Sequence, residues 1–164
     1  MPTRGCIAVK KGNSWAGVYV PYHSYPTKTG RDFWRHLMAL KEEGKLNTFE
    51  EELLKYSEWP EYLSKNKKYE VARGAEGKLM AENADPAIID WVYIYDPEKE
   101  VIEVQVSHKT TGKTLQPSSR GGCFTMCNYV LKKVATLHLA DPPPNFHNVQ
   151  SKGVSFWGKS MMFS

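Results

Sequence analysis

"IIDWVYIYDPEKEVIEVQVS", residues 88–107, sets two apolar runs on either side of an Asp-Pro-Glu-Lys turn. Val, Ile, Trp and Tyr suit a pleated, half-buried backbone, while Pro97 and its acidic neighbours suit a turn. The stretch reads as a β-hairpin. A second hairpin stands near the N-terminus, where "CIAVKK" (residues 6–11) and "SWAGVYV" (residues 14–20) flank Gly12 and Asn13.

Side chains alternate across a strand, so parity assigns faces. Ile7, Val9, Ala16, Val18 and Val20 form one aliphatic set, and Val92, Ile94, Ile102, Val104 and Val106 form another. The opposite set carries Trp15, Gly17, Tyr19, Trp91, Tyr93 and Tyr95, facing Glu103 and Gln105. Two hairpins in one antiparallel sheet would then offer an aliphatic face for helices to cover and an aromatic face with polar handles. That is an α+β fold in a single domain spanning residues 1–164.

The helices are expected at three places. Residues 31–45 put Phe33, Leu37 and Leu40 on one stripe with Trp34 and Met38 beside it, and Gly44 as a stop. Residues 48–59 open with Thr48 and Glu51 at capping-box spacing, and Pro60 ends that helix or begins a turn. After a loop over residues 108–122, residues 123–139 place Phe124, Cys127, Leu131 and Val134 at helical spacing. Residues 64–87 read as a long polar connection with one short strand at 69–72, and residues 153–164 as a closing strand.

Hydrophobic residues at 41% and charged residues at 24% belong to a globular chain rather than a disordered one. There is no apolar run of the roughly 18 residues that a bilayer span requires, and no apolar leader, so a soluble cytoplasmic protein with no membrane partner is expected. Cys6, Cys123 and Cys127 are expected to be reduced, and their spacing matches no zinc motif. No metal and no cofactor is expected. Charge is segregated: residues 1–50 carry 8 Lys/Arg against 4 Asp/Glu, residues 51–100 carry 7 against 12, and residues 101–164 carry 7 against 2. Two basic ends could meet as one positive surface.

The stretch Tyr19 to Gly30, "YVPYHSYPTKTG", follows the first hairpin directly. Pro21 and Pro26 stiffen it, so Tyr22, His23 and Tyr25 project at the edge of the aromatic face. Lys28, Arg31 and the free N–H groups of the next helix lie just beyond and favour an anion. Trp15, Tyr19, Tyr22, His23, Tyr25, Lys28, Arg31, Trp91, Tyr93 and Tyr95 are therefore the candidate ligand-binding residues. Rings stack on flat ligands at about 1–3 kcal/mol per base. The matching ligand is a nucleotide-like, anionic aromatic molecule or a short single strand of nucleic acid.

Two other readings stand beside this one. Cys123 follows Arg120 at an expected helix start, where dipole and guanidinium would favour a thiolate, with His23, His108 or His138 as base. That would make a cysteine-dependent hydrolase or transferase. Alternatively, the aromatic face would serve a protein partner or self-association. Oligomeric state is open.

Thr3, Arg4, Gly5, Ile7 and Ala8, followed by Tyr19, Tyr22, Tyr25, Pro26 and Gly30, give the opening a resemblance to a group of small phage and bacterial proteins. Those proteins begin Thr-Arg-Gly/Ser-x-Ile-Ala and carry an aromatic loop ending in Tyr-Pro before a glycine and a helix. The strand at residues 91–96 is similar in kind to one of theirs. Where they show His, Asp and Gly before Tyr-Pro, this chain has Pro21, His23 and Ser24. The resemblance implies no activity. It implies a phage or mobile-element accessory protein that binds a host component or a small signalling molecule.

Overall fold

A computed structural model describes residues 3–66, 79–117 and 123–156, with side chains at 110–128 and 154–156 left aside. The first hairpin forms as expected: β1 (Gly5–Lys11) and β2 (Ser14–Val20) pair antiparallel from Gly5↔Val20 to Lys11↔Ser14. Gly12 takes φ +59 in the turn, a left-handed conformation open to glycine at no steric cost. The second hairpin also forms. β4 (Trp91–Asp96) pairs antiparallel with β5 (Val101–Pro117), from Trp91↔Val106 to Asp96↔Val101.

Between the hairpins the chain makes a long crossover. A π-helical turn (Pro26–Gly30) leads into α1 (Arg31–Glu42), and a 3-10 turn (Leu46–Thr48) precedes α2 (Phe49–Leu53) and α3 (Trp59–Ser64). The short β3 (Leu79–Met80) then pairs with β2. β3 runs antiparallel to β2 and therefore in the direction of β1, and the connection from β3 to the other side of β1 keeps that direction, so β4 joins β1 parallel, from Gly5↔Trp91 to Val9↔Tyr95. The sheet is therefore mixed rather than antiparallel, with order β3-β2-β1-β4-β5-β6 among the described residues, β6 being Cys123–His138.

The expected faces of β4 are reversed, while Ile102, Val104 and Val106 of β5 lie with the main core. Register sets Trp91, Tyr93 and Tyr95 opposite Val106, Val104 and Ile102, so those rings share a face with the β5 aliphatics. Val92 and Ile94 point the other way. A one-residue error in pairing moves every side chain to the opposite face. The main core joins Ile7, Val9, Val18 and Val20 with Trp91, Tyr93, Tyr95 and Val104, under Phe33, Trp34 and Leu37 of α1. A second, smaller core on the far face holds Cys6, Ala8, Trp15, Ile89, Val92 and Ile94.

The expected third helix is a strand. β6 (Cys123–His138) pairs with β5 from Val101↔His138 out to Pro117↔Cys123, and much of the expected 108–122 loop is β5 itself. Thr, Val, Tyr and Phe recur through this segment, and pairing with β5 overrides a spacing that mimics a helix. The opposite exchange occurs near the C-terminus. Residues 153–156, expected in a strand, lie in α4 (Phe146–Phe156), which begins where Asn145 Oδ1 accepts the Asn148 N–H at 3.2 Å. The capping box also moves. Thr48 makes no side-chain cap, and its hydroxyl donates to Lys45 O instead. Glu58 and Glu61 form the reciprocal pair, and Pro60 sits in the first turn of α3. The strand expected at 69–72 lies outside the described residues.

Candidate functional site

The tyrosine loop is tied by ring contacts and by hydrogen bonds to its neighbours. His23 takes φ 55, and its ring meets Tyr22 and Tyr25 edge to face at 5.4 and 6.0 Å. Thr29 Oγ1 donates to His23 O at 2.6 Å, and the Tyr93 hydroxyl donates to Ser24 O at 2.6 Å. Ser24 is fully buried, whereas Tyr22 is 52% exposed.

The expected ligand residues do not converge. Trp91, Tyr93 and Tyr95 are buried under the helices at 0%, 1% and 3% exposure, so the open aromatic platform is absent. Trp15 and Tyr19 belong to the far face, Trp15 itself buried there. Tyr22, His23 and Tyr25 remain on the loop, and Lys28 pairs with Asp32 at 3.5 Å. Cys123 begins a strand rather than a helix, which removes the dipole expected to activate its thiol. Cys6 is fully buried, and burial pushes its thiol far up, leaving it inert.

Arg31 alone of the expected set lines the groove with the most ligand-like chemistry. Positions 31, 34, 35, 38 and 42 recur at helical spacing, so Arg31, Trp34, Arg35, Met38 and Glu42 share one face of α1. Facing them are Asp141, Pro143, Pro144, Asn145, Phe146 and His147, and the groove between holds about 550 Å³. That is within the ~300–1,000 Å³ typical of small-molecule sites. The Arg31 guanidinium lies 6.0 Å from the centre of the Phe146 ring, near enough for cation–π attraction. Thr27 braces the far wall, its N–H and hydroxyl both donating to Gln150 Oε1 at 3.2 and 2.8 Å.

The sequence carried this groove as an unused signal. The apolar stripe of α1 masks the neighbouring groove face, and the Pro142–Pro144 run stands just ahead of α4. A proline run ahead of an N-capping asparagine makes a rigid wall beside a helix start.

A second groove of about 570 Å³ crosses the far face of the sheet, lined among others by Lys10, Trp15, Asp96, Glu103, Lys133 and His138. Its Lys10 and Asp96 pair at 3.6 Å. Among the described residues no three His, Cys, Asp or Glu side chains gather as a metal site, and no helix is long and apolar enough to cross a membrane. Compared with protein-family models, with curated proteins and with solved structures, the chain matches none.

Proposed function

We propose that the protein is a non-catalytic binding module whose groove between α1 and the start of α4 takes a nucleotide-like, anionic aromatic ligand. One observation carries the reading: two arginines and a set of rings and prolines line the same groove of ligand size. Trp34, Met38, Phe146 and Pro143 supply apolar walls for a base. Arg31, Arg35 and the first N–H groups of α4 suit a phosphate. Glu42 and Asp141 suit the amino and imino donors of a base edge. The burial of Trp91, Tyr93 and Tyr95 favours a small ligand here over a single strand spread on the sheet. A phage or mobile-element accessory role, drawn from the resemblance of the opening, accords with a compact module of this kind.

Tryptophan fluorescence tests the reading, because Trp34 lines the groove. Mononucleotides, cyclic nucleotides and cyclic dinucleotides are titrated into the full chain. Saturable quenching is expected, weakened tenfold or more by Arg35→Ala and unaffected by Lys10→Ala on the far sheet face. Absence of quenching with every one of these ligands overturns it.

A further inference from the structure

The two faces of the sheet are covered unequally. Phe33 and Leu37 of α1, Phe49 and Leu53 of α2, Trp59 of α3 and Phe146 of α4 all join the main core. Among the described residues the far core holds no helix side chain; Ala84 and Ile89 reach it from the segment ahead of β4. The far-face groove of about 570 Å³ opens beside that small core. Trp15, Ile94 and Leu131 belong to both, so the outer edge of the core is the apolar floor of the groove.

Strand pairing sets the polar lining in rows. Lys10 faces Trp15 on one side and stands 3.6 Å from Asp96 Oδ2 on the other. Asp96 faces Val101, which faces His138. Farther along, Glu103 faces Thr136, and Gln105 faces Lys133. Both acids are engaged inside the protein. Asp96 is 7% exposed, and its Oδ1 accepts the Glu98 N–H at 3.0 Å. Glu103 Oε2 accepts from Gln105 Nε2 at 2.6 Å. Lys99 and Lys133 line the same groove, are exposed, and make no ion pair among the described residues.

We propose that the far-face groove is a second binding site, for an organic monocarboxylate with an apolar body, independent of the α1–α4 groove and its ligand. Charge and size carry the choice. Three lysines against two acids leave one positive charge in the lining, which a single carboxylate balances. The volume falls within the ~300–1,000 Å³ of small-molecule sites. The ligand's body lies on Trp15, Ile94 and Leu131, and the two lysines without an ion pair supply the charge for its head. A phosphate monoester is the poorer occupant. No arginine stands among the described lining residues to grip it bidentately, and its second charge would meet the carboxylates of Asp96 and Glu103. A zwitterion would need an acid for its ammonium, and both acids already hold partners.

The test is nuclear magnetic resonance of the unmodified full chain titrated with decanoate below its micelle concentration, in low salt, where exposed lysines are least screened. Saturable shifts of the Trp15 indole N–H are expected with the Trp34 indole unmoved, because Trp15 lines this groove and Trp34 the other. Decylammonium keeps the body and reverses the charge, and acetate keeps the head without the body. Each is expected to bind about tenfold or more weakly. In calorimetry, Lys99→Gln with Lys133→Gln should weaken decanoate about tenfold or more, while Lys45→Gln past the end of α1 leaves it unchanged. No saturable binding, equal binding of decylammonium, or shifts centred on Trp34 would each overturn the proposal. So would a doubled mass of the free chain with decanoate excluded, which would give this face to a second copy.

Discussion

The Tyr93 hydroxyl donates to the Ser24 carbonyl at 2.6 Å, a buried hydrogen bond between a central strand and the tyrosine loop. Burial holds the Tyr93 phenol well above its ordinary pKa, so the donor stays protonated. Tyr93→Phe keeps the ring and strands the carbonyl, which costs about 1–3 kcal/mol. Urea unfolding should show that loss, and hydrogen exchange should show faster opening confined to residues 21–30.

A second contrast separates two places that look alike in sequence. Glu61 is 2% exposed, and its Oε1 accepts the N–H groups of Ser57 and Glu58 at 3.2 and 3.0 Å. Glu61→Ala removes both bonds inside the protein and should cost about 1–3 kcal/mol. Thr48→Ala should change the urea midpoint little, because Thr48 caps no helix and its bond to Lys45 O is exposed.

Local signals were legible where a short range of chain decides the outcome. Both tight hairpins, α1 and its Gly44 stop were open to reading from residues alone. What escaped depends on distant partners. Phe124, Cys127, Leu131 and Val134 satisfy a helical stripe, and only β5 alongside selects the strand. Trp91, Tyr93 and Tyr95 looked like an outer face because parity within one strand says nothing about register across its turn. The candidate groove needed α1 and α4 together, and α4 was obscured by the glycine within it. Arg31 was singled out for its place beside the loop, and its contact with Phe146 comes from the fold.

Gly153 is that obscuring residue, and it sets how closely α4 approaches the sheet. A Cβ there would overlap Trp91 Cη2 and lie 2.7 Å from Trp91 Cζ3. The Trp91 ring is fully buried and has no room to retreat. Alanine gains about 1 kcal/mol of helix propensity over glycine, against an overpacking cost of roughly 1–3 kcal/mol. Gly153→Ala should therefore lower the thermal midpoint and shift the Trp91 environment in near-ultraviolet dichroism. An unchanged or raised midpoint would mean that α4 packs less tightly here.

His36 gives the chain a pH dependence with a definite sign. Its Nε2 lies 2.5 Å from the Tyr62 hydroxyl, and its ring packs edge-on against Trp59 and Tyr62. Burial, helped by the Lys65 ammonium, lowers its pKa, while Glu43 pulls weakly the other way. Lys65 Nζ sits 3.6 Å from the centre of the Tyr62 ring, so a proton on His36 would bring a second cation into the same cluster. A base whose folded pKa is depressed binds its proton more readily when unfolded. Its contribution is whole above the unfolded value of about 6.5 and is lost as pH falls through the folded value. Urea midpoints should therefore fall between pH 7.5 and 5, with a smaller slope in His36→Asn. A His36 ring resonance that titrates at or above the ordinary histidine value would sink the argument.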